Sequence, residues 1–215
     1  MAEARVFISM GTPYTETQSR FRDALETFLR EKCKIDPRII GKNEYPDGNP
    51  LTKIRTVMSQ CHGVIVLAYE RKYLESGFEK RSGKMPLTIS NRSYTTPWNH
   101  IESAMAFTMG LPLYILCQTD LTEEGLIESK LDWYVQRIDI EPAEFNRIEI
   151  SRSLESWIEN RVIPLSKKPR MLKTVEGSLK FSEMTPKEIF GALAIIAGAF
   201  SLGVTAALML PKVFG

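Results

Sequence analysis

Several residue types that usually announce a chemistry are scarce or absent here. Only three cysteines, Cys33, Cys61 and Cys117, occur in 215 residues. They are far apart and show no metal-ligand spacing or pairing pattern, so they read as reduced core thiols of a cytosolic domain, with no metal site. There is no large charge of one sign: a net charge of +2 is too small to argue for nucleic acid as a partner. A dinucleotide Gly-x-Gly-x-x-Gly is absent. So is a phosphate-cradling Walker loop, because Gly77 to Gly83-Lys84 has the wrong spacing and Met85 stands where a hydroxyl is needed. The first five residues lead directly into an apolar run too short and too early for an export signal.

What is present is an alternation of strand and helix signals. Residues 5–9 (RVFIS) form a short apolar run closed by Gly11-Thr12-Pro13, after which Phe21, Leu25, Phe28 and Leu29 recur at helical spacing. Residues 38–41 are a weak second strand, and 42–50 are rich in turn formers. Asn49-Pro50 reads as a helix N-cap with proline at the first helical position, and Ile54, Val57, Met58 and Cys61 are the buried stripe of the helix that follows. Residues 64–69 (VIVLAY) are continuously apolar, as parallel strands covered on both faces are. A long, polar and basic connection, 70–97, leads to a helix at 98–109, a fourth strand at 112–117, a fifth at 134–140 and an amphipathic closing helix around 153–162. A connection of that length is either functional or flexible. The fold class expected is α/β, a doubly wound (flavodoxin-like) parallel sheet of about five strands.

In such sheets ligands sit outside the carboxyl ends of the strands, and the loops 9–15, 42–50 and 70–98 open there. The helix beginning Thr96-Pro97-Trp98-Asn99-His100-Ile101-Glu102 starts at that edge. Positions four apart share a helical face, so Trp98 and Glu102 would wall and charge one crevice. The plain alternatives are that Glu102 is a solvated helical acid and Trp98 a packing residue. His100 lies on another face than Glu102, and His62 follows a helix; both read as surface or capping residues rather than bases.

Taken together, Arg5-Val-Phe-Ile-Ser9, Tyr45-Pro-Asp-Gly48, Gly63-Val-Ile-Val-Leu67 and Trp98-x-x-x-Glu102 resemble the Toll/interleukin receptor (TIR) domain across roughly residues 4–163. Glu102-x-x-x-Ala106-x-x-x-Gly110-x-Pro112 also resembles the segment carrying the active-site glutamate of nucleoside 2-deoxyribosyltransferases, a related α/β fold. In enzymatic TIR members the glutamate of the tryptophan helix cleaves NAD at the nicotinamide–ribose bond, which maps onto Glu102. The resemblance implies NAD as substrate with no cofactor, Glu102 as the catalytic residue, and Trp98, Ser9, Met10, Gly11, Thr12, Tyr45 and Glu44 lining the substrate site. It further implies self-association, with the Asp47-Gly48 loop governing assembly and access, and most readily an antiphage effector. Many NAD-cleaving members carry aromatic or basic residues where this chain has Met10, Gly11 and Thr12. Two other readings stay open: a nucleoside or nucleotide N-glycosidase or deoxyribosyltransferase-like enzyme, and a non-catalytic module that binds a nucleotide signal or a TIR partner and acts through a membrane helix.

That helix is the second strong signal. Residues 189–210 are twenty-two in a row without a charge, enough to span a bilayer of about 30 Å. Thr185-Pro186-Lys187-Glu188 opens the segment as a capping box. Lys167, Lys168, Arg170, Lys173, Lys180 and Lys187 precede it and Lys212 alone follows, which by the positive-inside rule places the α/β domain in the cytoplasm. Ala199, Gly203 and Ala207 form a small-residue stripe of the kind that lets membrane helices approach closely. The expected organisation is a TIR-like domain over 1–163, a basic juxtamembrane linker over 164–188, and a transmembrane helix over 189–210.

Overall fold

The computed structural model describes residues 4–45, 48–128 and 134–167, all within one unit, Met1–Lys167. The expected membrane span at 189–210, nearly all of the linker, and Asp47 lie outside the described residues. Among the described residues no helix is long and apolar enough to cross a membrane.

The architecture is α/β: a five-stranded, wholly parallel sheet in the order β2-β1-β3-β6-β7, flanked by helices. Its strands are β1 (Arg5–Met10), β2 (Asp36–Arg38), β3 (Val64–Ala68), β6 (Leu113–Gln118) and β7 (Tyr134–Ile138). The two-residue period of a strand sorts its side chains between two cores. Val6, Ile8, Ile65, Leu67, Tyr114 and Leu116 point to one face, where they meet Phe21 and Leu25 of α1 (Glu16–Thr27) and Ile150 and Leu154 of α4 (Ile148–Trp157). Phe7, Val64, Val66, Ala68, Ile115 and Cys117 point to the other. There they meet Ile54, Val57 and Met58 of α2 (Pro50–Ser59) and Ala106 of α3 (Pro97–Thr108). Because β3 is covered on both faces, all five of its residues are buried. This is the physical origin of its uninterrupted apolar run.

Local chemistry sets the helix boundaries. Asn49 Oδ1 accepts the Leu51 and Thr52 amides at 2.9 and 3.4 Å ahead of Pro50, as the Asn-Pro pair predicted. Thr96 caps α3 in the same way ahead of Pro97, and Thr15 caps α1 through the Gln18 amide. α1 continues through a π turn, Phe28–Lys32, and α4 through another, Ile158–Val162. The closing helix thus begins at Ile148, five residues before the expected start. Gly63, just before β3, is a packing requirement, since a Cβ there would come within 2.9 Å of the Trp157 ring and of Val162.

Two expectations are corrected. The second strand is Asp36–Arg38, not 38–41. The chain leaves the ladder at Ile39, because the Asn43 side chain accepts the Ile39 amide at 2.7 Å and donates to the Pro37 carbonyl at 2.8 Å, bending it into a turn. Pro37 is tolerated because β2 is an edge strand. The connection 70–97 is neither irregular nor part of the main sheet. It folds into an antiparallel hairpin of β4 (Lys72–Glu79) and β5 (Leu87–Tyr94).

Candidate functional site

Helix α3 packs on β1 and β3, and its inward stripe is Asn99, Glu102, Ser103 and Ala106. The stripe changes character along its length: its amino-terminal part, at the carboxyl edge of the sheet, is polar, whereas Ala106 enters the apolar core. Ser9 lies on the same face of β1 as Phe7 and is fully buried beneath α3. Asn99 Nδ2 donates to both the carbonyl and the hydroxyl of Ser9, at 3.1 and 3.0 Å. Thr95 in turn donates to Asn99 Oδ1 at 2.7 Å, and the Ser103 hydroxyl donates to the Asn99 carbonyl at 2.6 Å. The Ser9 hydroxyl also acts on Glu102, where it favours the ionised form. The hydrogen-bonded network of Thr95, Asn99 and Ser9 thus lies beneath the same stretch of α3 that carries Glu102.

Glu102 itself is only 6% exposed. Its Oε2 is buried and has no hydrogen-bond partner among the described residues. Burial pushes its pKa up to about 7, and the Ser9 hydroxyl opposes part of that rise. A buried carboxyl group whose pKa is pushed up to about 7 and which carries an unpartnered oxygen is not a solvated helical acid.

The other expected site residues divide. Trp98, one turn before Glu102, is 41% exposed at the mouth of α3. Gly11 comes close to α3: a Cβ on it would lie 3.5 Å from Thr96 Cγ2 and 3.8 Å from the Tyr69 ring, and the Tyr69 hydroxyl donates to its carbonyl. Met10 packs with the α1 and α4 core on the opposite face, and Thr12 is exposed. Glu44 is engaged beside the edge strand, paired with Arg38 at 3.0 Å and Lys53 at 3.2 Å. Tyr45 is exposed and donates to the Lys42 carbonyl at 2.6 Å. The structure therefore brings Ser9 together with Glu102, sets Gly11 beside Thr96 at the start of α3, leaves Trp98 exposed one turn before Glu102, and gives Met10, Thr12, Glu44 and Tyr45 other surroundings. His100 sits 3.9 Å from Glu124, away from the Glu102 carboxyl. Asn99 and Thr95 were not singled out from sequence. The available signal was a polar residue, Asn99, on the same helical stripe as Ser103 and Ala106.

No protein-family model matches the chain, and no curated protein matches it either.

Two shallow clefts lie elsewhere. One, of about 240 Å³, is lined by the ion-paired side chains of Asp23, Glu26, Arg30 and Lys42. The other, of about 220 Å³, lies at the carboxyl edge between Tyr14, Gln18, Glu70, Gln118 and Ile140. Glu70 ties it together: its carboxylate accepts from Ser93 at 2.6 Å and Tyr14 at 3.3 Å, its amide donates to Gln118, and its carbonyl accepts from Gln18. Neither cleft contains Glu102. An unpartnered buried oxygen such as Glu102 Oε2 is costlier to maintain than an ion-paired surface cleft. Among the described residues no group of three or more His, Cys, Asp or Glu could hold a metal ion.

Proposed function

We propose that the described domain is a flavodoxin-like, doubly wound TIR-like module that cleaves the nicotinamide–ribose bond of NAD or a related nucleotide, with Glu102 as the catalytic carboxylate. The observation that carries this reading is the buried, unpartnered Glu102 Oε2 at the carboxyl edge of a parallel sheet. Strand order supports the fold assignment: with the β4–β5 hairpin left aside, the sheet runs 2-1-3-4-5, and β1 and β3 flank the point where that order reverses.

The chemistry asks little of the protein. As the C1′–N bond breaks, its electron pair goes to the nicotinamide nitrogen and the ribose becomes oxocarbenium-like. A poorly solvated carboxylate stabilises that cation far better than one in water. Nicotinamide leaves neutral, so no general acid is needed. Water then adds at C1′ and gives up a proton. The Ser9 hydroxyl favours the ionised form of this carboxyl group. Since Glu102 is nearly sealed in the single chain, catalysis requires its surroundings to open, and self-association is the step we assign to that opening. The chain is read as a single-pass membrane protein with this domain in the cytoplasm, and a bacterial antiphage role is the biology this combination fits.

Nicotinamide release by the clustered chain in detergent or liposomes tests the reading: wild type releases it and Glu102→Gln does not. Nucleosides and other nucleotides in the same assay separate NAD from the alternative N-glycosidase substrates. A reading of another class rests on the sealing of Glu102 from solvent: a non-catalytic nucleotide-binding or adaptor module in which Glu102 and the Thr95–Asn99–Ser9 network are structural. In that case Glu102→Gln retains ligand binding and no C–N bond is cut by either form.

A further inference from the structure

We propose that the tip of the β4–β5 hairpin is a membrane-contacting finger that dips into the interface of an anionic lipid bilayer. Two-stranded hairpins are marginal on their own in water, and among the described residues this one is held at its base. There the Ser93 hydroxyl donates to Glu70 at 2.6 Å, the Arg71 amide to the Tyr94 carbonyl at 2.8 Å, and the Thr122 amide to the Ser93 carbonyl at 2.8 Å. Beyond the base nearly every residue is exposed on both faces of the ribbon.

The composition of the distal end selects the occupant. The last paired rungs are Phe78 with Thr88 and Glu79 with Leu87. Because neighbours on a strand point to opposite faces, Phe78 and Leu87 lie on opposite faces of the ribbon. They are 60% and 57% exposed, and Met85 in the connecting turn is 85% exposed. A protein partner covering one face would leave apolar surface on the other in water. A medium that surrounds the tip covers both. The charges name that medium. From Lys72 through Tyr94 the hairpin has five cations, Lys72, Lys80, Arg81, Lys84 and Arg92, against two acids, Glu75 and Glu79, and none of the five cations forms an ion pair with a described residue. Apolar side chains flanked by unpaired cations are the pattern that lies at the headgroup boundary of anionic bilayers. The inference needs neither glycosidase chemistry at Glu102 nor the span at 189–210.

The test places an environment-sensitive NBD fluorophore on a Met85→Cys substitution in a Cys33→Ser background of the full chain, with Glu159→Cys on the domain body as the control position. The probe is read on phosphatidylcholine vesicles with and without phosphatidylserine. The expected result is a blue-shifted, iodide-protected signal at position 85 on phosphatidylserine vesicles only, with position 159 remaining in water. High salt removes the shift by screening. Each cation near such a surface is worth roughly fivefold in partitioning, so Lys80→Gln, Arg81→Gln and Lys84→Gln together reduce the inserted fraction by about a hundredfold. Three results would overturn the proposal: a water-exposed probe on phosphatidylserine vesicles that carry the protein, insertion equal on pure phosphatidylcholine, or a shift that appears without lipid. A lipid-free shift that rises with protein concentration would identify a second copy of the chain as the occupant, and one that follows added duplex DNA would identify nucleic acid. Activity is not read in this experiment, so its failure is distinguishable from failure of the NAD reading.

Discussion

Replacing Glu102 by glutamine should make the fold's stability less sensitive to pH, and the size of the effect follows from burial. An unburied glutamate titrates near 4.5, whereas Glu102 in the folded chain is pushed up to about 7. Between those values the folded state binds the proton that the unfolded chain has released, so stability falls as pH rises across that window and levels off above it. Each pKa unit is worth about 1.4 kcal/mol. Integrating the two titrations from pH 5 to pH 8 gives a loss of about 2 to 3 kcal/mol in the wild type from this one group, or roughly 5 to 10 °C in Tm for a domain of this size. The glutamine variant has its own constant cost, an unpartnered buried amide of about 1 to 3 kcal/mol, but that cost is the same at both pH values and cancels in the comparison. Urea unfolding at pH 5 and pH 8, followed by tryptophan fluorescence, measures the difference directly. The variant should gain about 2 to 3 kcal/mol on the wild type between the two pH values. A wild-type-minus-variant difference that stays constant with pH would show that Glu102 titrates normally and would remove the central argument for a functional carboxyl group.

The remaining predictions concern the same site and its frame. If Glu102 acts as an ionised carboxylate, kcat/KM for nicotinamide release should rise with pH to a plateau with a midpoint near 7, the value of the buried group; a profile flat from pH 5 to 8 would contradict that role. Ser9→Ala removes the hydrogen bond that holds the pKa down and one acceptor of Asn99, so it should move that midpoint upward and cost about 1 kcal/mol in urea unfolding. Asn99→Ala breaks the network at its middle and leaves the buried Thr95 and Ser9 groups without their partner. It should cost about 2 to 3 kcal/mol while far-ultraviolet circular dichroism stays that of the folded domain. Gly63→Ala forces a methyl within 2.9 Å of Trp157 and Val162, and should destabilise by about 1 to 3 kcal/mol with a change in tryptophan emission as the indole shifts.

The features legible in the chain alone were those set by neighbours in sequence or by burial on both faces. The runs that became β3 and β6 are apolar throughout because helices cover both sides of the sheet. The starts of α2 and α3 were written in Asn49-Pro50 and Thr96-Pro97, whose side chains and ring need only the next two or three residues to act. Glu102 was placed on a helix at the carboxyl edge by the same logic. Its burial, its unpartnered oxygen and its link to Ser9 depend on how α3 is registered against β1, and residues 9 and 99 are ninety positions apart. Nothing local encodes that distance. The second strand was misplaced because an edge strand of three residues containing Pro37 carries too little periodicity, and its end is decided by Asn43 reaching back to Ile39. The hairpin at 72–94 was unreadable as strands for a related reason. Period-two alternation arises only where one face is buried, and a ribbon exposed on both faces has no core to impose it.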